Sequence, residues 1–121
     1  TEIYTLSLHD ALPICAEDVL NGARAAAAYA PAGAPREVRL VAVGLAVPAA
    51  LHAAALEPGL FRAVTLRRGL RAWNDVLVAP MATNQLVNAV HGALRAYDLP
   101  DLERCLPSGR LAVEEPAVLG K

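Results

Sequence analysis

Residues 38–56 of this chain of 121 residues are apolar apart from Arg39 and His52, and the two halves of this stretch differ in composition. Val38–Val43 is short and rich in β-branched side chains, which predicts a strand buried on both faces of a parallel sheet. Gly44 ends that half, and Pro48 has a fixed φ that suits the first turn of a helix. The alanines that follow, up to Leu56, favour a closely packing helix. The pattern therefore predicts a strand, a sharp turn and a helix.

Polar and turn-forming residues divide the rest of the chain into further elements. A helix is predicted over residues 18–29, and a loop containing Pro and Gly joins it to the central strand. A turn at residues 57–59 leads into a second strand over residues 61–66, and a third strand is predicted over residues 110–113. Helices that alternate with strands join parallel strands. The chain is therefore predicted to be an α/β protein with about three mostly parallel strands and flanking helices.

Residues 70–97 interrupt this alternation and are expected to form an excursion from the sheet. Trp73 and Pro80 lie in a stretch predicted to be a loop, and a helix is predicted from Thr83 to about residue 97. A short helix that ends near residue 106 follows, with Asp101 as its expected N-terminal cap.

Charge and cysteine content narrow the possible functions. The formal net charge is −1, with 11 basic and 12 acidic residues, and this balance gives no reason to expect nucleic acid or an anionic membrane as a partner. Gly44 and Pro48 interrupt the apolar run, which argues against a membrane span. Cys15 and Cys105 are the only cysteines and lack the spacing of metal ligands. No metal, cofactor, redox compartment or cellular location is implied.

Residues 1–14, TEIYTLSLHDALPI, match residue for residue the translation of a common short-read sequencing adapter. We therefore expect this segment to be an artefact at the end of a metagenomic contig, with arbitrary structure or none. Its Tyr4, Ser7, His9 and Asp10 are excluded from the candidate chemistry. Residues 15–121 are expected to be cut at both ends, and ten arginines among the eleven basic residues indicate a GC-rich bacterial genome.

Several short motifs and their order resemble the C-terminal half of an α/β-hydrolase of the acetyl xylan esterase and dienelactone hydrolase type. They are the central run VAVGLAVPAALHAAALEP, the segment WNDV with the proline at position 80, NQL at residues 84–86 and YDLPDL at residues 97–102. The likeness covers most of residues 15–121. It implies a partial three-layer α/β-hydrolase-like fold and an esterase ancestry, with acetylated sugars or small esters as the substrates of the family.

In that family a serine on the strand-to-helix turn attacks an ester carbonyl, a histidine takes its proton and a later acid orients the histidine. Small residues two positions before and after the nucleophile, here Ala42 and Ala46, let the turn expose its side chain. Matched by position, the nucleophile site of this chain is Gly44, and the amide of Leu45 is the possible remaining oxyanion donor. Because glycine has no side chain, the resemblance implies a hydrolase that lacks its nucleophile.

The other residues that could carry the family's chemistry are few. The acid position falls near Glu114 and Glu115, although an exposed strand end explains these residues as well. The histidine of the family would lie beyond residue 121, and His52 and His91 are expected to be packed or half-exposed side chains. Ser108 is expected to serve turn formation, and Cys105 is expected to be an unactivated thiol. The basic cluster of Arg67, Arg68 and Arg71 is expected to be solvated surface.

Three interpretations of function stay open. The first is a non-catalytic, hydrolase-like domain, and the second is part of an active carbohydrate esterase whose Ser, His and Asp lie outside this sequence. The third is a fragment without independent function. Whether the chain is an enzyme therefore stays undecided. Its expected partner is the missing N-terminal half of its own chain or a second hydrolase domain, because an open sheet invites another segment to cover it.

Overall fold

The computed structural model describes residues 8–29, 37–79, 90 and 92–116, and these residues form one sheet with helices between its strands. The described elements are the helices α1 (Leu8–Ala28), α2 (Val47–Leu56), α3 (Trp73–Val78) and α4 (Leu99–Glu103), the strands β1 (Val38–Val43), β2 (Phe61–Arg67) and β3 (Leu111–Glu114), and the 3₁₀ turns Gly44–Ala46 and Ala93–Arg95.

The described strands form a parallel sheet in the order β1-β2-β3. Val43 at the end of β1 lies beside Arg67 at the end of β2, and Arg67 lies beside Glu114 at the end of β3. Helix α2 connects β1 to β2, as predicted from the break at Gly44. The arrangement confirms the α/β class with parallel strands. β1 has its predicted bounds, β2 is one residue longer, and β3 is shifted by one residue.

One face of the sheet carries the hydrophobic core. Side chains point alternately to the two faces of a strand, and Ala42, Val64 and Leu66 are 4%, 1% and 3% exposed on the face that meets the helices. Leu51 of α2 and Leu99 of α4 complete this core with 1% and 0% exposure. Burying a leucine to this extent stabilises the fold by about 1.5–3 kcal/mol. Helices α1 and α4 both pack against α2, so the core is centred on that helix.

The opposite face of β1 is open to solvent. Val41 is 62% exposed and Val43 is 54% exposed. The prediction that this strand is buried on both faces is therefore wrong. Helices α1 and α2, which contact β1, lie on the side of Ala42, and the described residues place no helix over Val41 and Val43. The third layer that the resemblance implied is thus not seen in the described part of the chain.

Helix α1 begins at Leu8 and not at the predicted residue 18. Leu12, Ala16 and Leu20 lie at helical spacing and are 3%, 3% and 7% exposed, because this stripe of α1 packs against α2. Residues 8–14 of the segment assigned to the adapter are thus helical and contribute Leu12 to the core. The origin of that segment stays a prediction.

The chain between β2 and β3 differs from its prediction in three places. Trp73–Val78 is the helix α3 and not a loop. Gly92 has a φ of +70° and precedes a 3₁₀ turn, so no α-helix runs through residues 92–97, and residues 80–89 and 91 lie outside the described residues. The cap of α4 is Asp98, whose side chain accepts the N–H of Leu99, and Asp101 completes a capping box as the third helical residue.

Gly69 allows the chain to pass close to the start of α2 after β2 ends. A Cβ atom at this position would lie 2.3 Å from the side chain of Val47, far closer than two carbon atoms can approach. Both residues are buried. The contact therefore fixes the first turn of α2 beside the end of β2, and this places the turn at Gly44 relative to the sheet.

Candidate functional site

The turn between β1 and α2 has the backbone geometry of a strand-to-helix elbow. Val43 is extended with φ −129° and ψ 133°, Gly44 has a φ of +65°, and a 3₁₀ turn then leads into α2. Apart from its two chain neighbours, a Cβ atom placed on Gly44 meets no atom of the described residues within 4 Å. A side chain at this position would therefore project into open space, as the nucleophile of a hydrolase elbow does.

Neighbouring residues hold this turn in place. Gly44 accepts the left-handed conformation, which costs other residues about 1–2 kcal/mol. The N–H of Val47 donates to the carbonyl oxygen of Gly44, and Pro48 occupies the first turn of α2, where its missing N–H has no cost. Val47 and Pro48 are buried, so the start of the helix is anchored in the core. Leu45 is 49% exposed, and its amide lies at the N-terminal end of this helical segment.

All three described strands are followed by a residue with a left-handed backbone. Gly44 follows β1 with φ +65°, Arg68 follows β2 with φ +53°, and Glu115 follows β3 with φ +45°. Because the strands are parallel, these residues share one edge of the sheet, and open α/β sheets bind ligands outside that edge. We call this edge the carboxyl edge and define it as Gly44, Leu45, Arg67, Arg68, Glu114 and Glu115.

Two ion pairs occupy the part of the carboxyl edge formed by β2 and β3. Arg67 Nε lies 2.9 Å from Glu114 Oε2, and Arg68 Nε lies 2.8 Å from Glu115 Oε2. The backbone N–H of Arg68 also donates to the carbonyl oxygen of Glu114 at 3.1 Å. The four side chains are 45% to 70% exposed, so solvent screening keeps the stabilisation from each pair small.

Neither glutamate has the surroundings of a triad acid. The hydrogen bond from Arg68, together with its charge, lowers the pKa of Glu115 and keeps this carboxylate ionised. Glu114 is paired with Arg67. Within the described residues, the partners of both carboxylates are guanidinium groups and not an imidazole. The two side chains therefore link the ends of β2 and β3 and do not orient a base there.

His52 lies on α2, and both of its ring nitrogens have partners. Nδ1 is 2.6 Å from the carbonyl oxygen of Pro48, which can only accept, so in the neutral ring Nδ1 carries the proton. Nε2 is 2.9 Å from the hydroxyl of Tyr97 and, in that tautomer, accepts a hydrogen bond from it. Burial lowers the pKa of His52 below its ordinary value of 6.5, and the hydrogen bond to Pro48 opposes part of this effect. His52 is thus a half-buried packing residue, as predicted.

Around His52 the structure assembles an aromatic cluster that the sequence did not reveal. The ring centre of His52 lies 5.6 Å from that of Trp73 and 5.7 Å from that of Tyr97, and the centres of Trp73 and Tyr97 are 5.4 Å apart. The rings come from α2, from α3 and from the segment before α4, so the cluster attaches the excursion to α2. Residues so far apart along the chain share no periodicity that would have identified them.

Asp98 joins the two ends of the excursion. Its carboxylate accepts the N–H of Trp73 at 2.7 Å, of Asn74 at 3.2 Å and of Leu99 at 2.7 Å. One side chain thereby caps both α3 and α4. Its role toward α4 had a sequence signal, because Asp101 follows three positions later in the spacing of a capping box. Its role toward α3 had none.

The remaining candidates have structural explanations or lie outside the described residues, as His91 does. Cys105 is exposed, and its Sγ donates to the carbonyl oxygen of Asp101 at 3.5 Å. Ser108 is exposed in the turn before β3, and Arg71 pairs with Glu103 at 3.0 Å. Across the part of the chain that the structure describes, no group of His, Cys, Asp and Glu side chains could hold a metal ion.

An apolar groove runs beside the elbow. It has a volume of about 450 Å³ and is lined by residues of α1, β1 and the first turns of α2. Val43, Leu45 and Ala46 form its wall at the elbow, and Cys15 of α1 also faces it. The described lining residues carry no charged or hydroxyl group, so this part of the groove can accept apolar groups.

Comparison with known proteins identifies no relative of this chain, since no family model, no curated protein and no solved structure matches it. Among the described helices, none combines the length and the apolar character that crossing a bilayer requires. What the structure establishes is an open α/β sheet in which the turn after the first strand carries glycine at its centre.

Proposed function

We propose that this chain is the non-catalytic C-terminal part of an esterase-like α/β-hydrolase, with Gly44 at the position of the nucleophile. The observation that carries the proposal is the turn itself, in which a parallel strand, a residue at φ +65° and a helix follow one another. Ala42 and Ala46 supply the small residues two positions to either side. This order of elements and this backbone geometry are those expected of a nucleophile elbow, and they support the proposal.

Glycine changes the chemistry that such a turn supports. Ester hydrolysis through an acyl intermediate needs a hydroxyl or a thiol to attack the carbonyl carbon, and Gly44 has neither. The amide of Leu45 can donate toward a carbonyl oxygen, but an oxyanion donor accelerates hydrolysis only when a nucleophile attacks. Both ring nitrogens of His52 are already hydrogen-bonded, one to the carbonyl oxygen of Pro48 and the other to the hydroxyl of Tyr97. The proposed role is therefore structural support or binding, and not turnover.

In a second candidate function, the chain is part of an active carbohydrate esterase whose catalytic Ser, His and Asp lie outside this sequence. The exposure of Val41 and Val43 favours this candidate, because both faces of a parallel sheet are normally covered. The covering layer would come from an N-terminal half of the same chain or from a second hydrolase domain. In that case this chain would supply sheet and core, and its partner would supply the chemistry.

Hydrolysis of p-nitrophenyl acetate by the purified chain tests the absence of activity. We expect the chain and its Gly44→Ser variant to release p-nitrophenol at the same low rate, because no described base contacts a hydroxyl introduced at position 44. Gly59→Ser is the matched control, since a Cβ atom at Gly59 would also lie in open space but Gly59 lies in a turn away from the elbow. Circular dichroism of each variant verifies that it is folded.

Two results of this assay would contradict the proposal. Hydrolysis by the unchanged chain above the rate of the buffer without protein would show a working site that needs no side chain at residue 44. Hydrolysis by Gly44→Ser alone would show that a base reaches the elbow. A chain that does not fold by itself would support the third interpretation, a fragment without independent function.

Long-read sequencing of the source locus separates the two candidates. A reading frame that extends into a second strand-to-helix elbow with serine at its centre would support the active esterase and overturn the non-catalytic role of the whole protein. An extended frame without such a serine supports the non-catalytic hydrolase.

A further inference from the structure

We draw no further inference here: the strongest candidate, the apolar groove beside β1 together with the exposed Val41 and Val43 on the same strand, is an unpartnered apolar surface, and nothing in the described part of the structure shows what covers it.

Discussion

The carboxylate of Asp98 accepts a hydrogen bond from the backbone N–H of Trp73 at 2.7 Å, although the two residues are 25 positions apart. The same carboxylate accepts a hydrogen bond from the N–H of Leu99, so one side chain caps the N-terminal ends of both α3 and α4. These helices have 6 and 5 residues, and helices of that length are not stable in water by themselves. The shared cap and the aromatic cluster beside it therefore hold the described ends of the excursion against α2.

Removing this cap should destabilise the protein more than removal of an ordinary surface carboxylate. For Asp98→Ala we expect a loss of about 2 kcal/mol in the free energy of unfolding, because the N-terminal amides of two helices lose their acceptor. The exposed Asp18 of α1 provides the control, and Asp18→Ala should change the free energy by less than about 0.5 kcal/mol. Urea denaturation followed by circular dichroism measures both. Equal losses in the two variants would show that Asp98 is not a shared cap.

His52 should make stability depend on pH. Because burial holds the folded pKa of His52 below 6.5, the unfolded chain binds the proton more readily than the folded chain. The stability that neutral His52 contributes is therefore present above pH 6.5 and is lost as the pH falls from there through the lowered folded pKa.

Urea denaturation between about pH 5.5 and 7.5 tests this dependence near the ordinary pKa of histidine. We expect the free energy of unfolding of the unchanged chain to fall on acidification, and His52→Gln to reduce that slope. His9 and His91 are present in both proteins, so any contribution from them cancels in the comparison. The same slope in both proteins would mean that the folded pKa of His52 is not lowered.

The left-handed backbone at Gly44 has a measurable consequence. Gly44→Ala should cost about 1–2 kcal/mol of stability, because alanine is strained at φ +65° even though its Cβ atom meets no neighbour. Gly44→Asn should cost less, since asparagine tolerates this conformation better. Gly59→Ala is the matched control, because Gly59 also has open space but not a positive φ. If Gly44→Ala and Gly59→Ala are equally stable, the turn does not have the geometry of an elbow.

Residues 8–14 can be tested as a part of the fold through two neighbouring side chains. Leu12→Ala should cost about 2–5 kcal/mol, because Leu12 is 3% exposed and its truncation leaves a cavity between α1 and α2. Ile14→Ala should cost less than about 1 kcal/mol, because Ile14 is 40% exposed on the same helix. Thermal or urea denaturation measures the stability of both variants. Two small, equal changes would show that this segment does not pack in the core.

The strand, turn and helix around Gly44 were predictable because their signals are local. β-branched residues favour the extended backbone of β1, glycine accepts a positive φ, and proline fits the first turn of α2. Each preference acts within a few residues and needs no distant partner. For the same reason the class of the fold and the parallel direction of its strands followed from the alternation of elements along the chain.

Local signals failed where a distant partner decides the structure. Pro13 is unfavourable inside a helix, yet α1 continues through it because Leu12 and Leu20 pack in the core with α2. Trp73 begins a helix because Asp98 supplies the acceptor for its N–H.

The sequence by itself determined the α/β class, the position of the turn between β1 and α2 and the presence of glycine at its centre. These depend on residue identity and on the conformational preferences of adjacent residues. The tertiary structure alone decided that β1 is covered on one face. It also decided that Glu114 and Glu115 pair with arginines and that His52 is hydrogen-bonded to Tyr97. The physical reason is that these contacts join residues from separate elements, and packing brings such residues together without any periodicity along the chain.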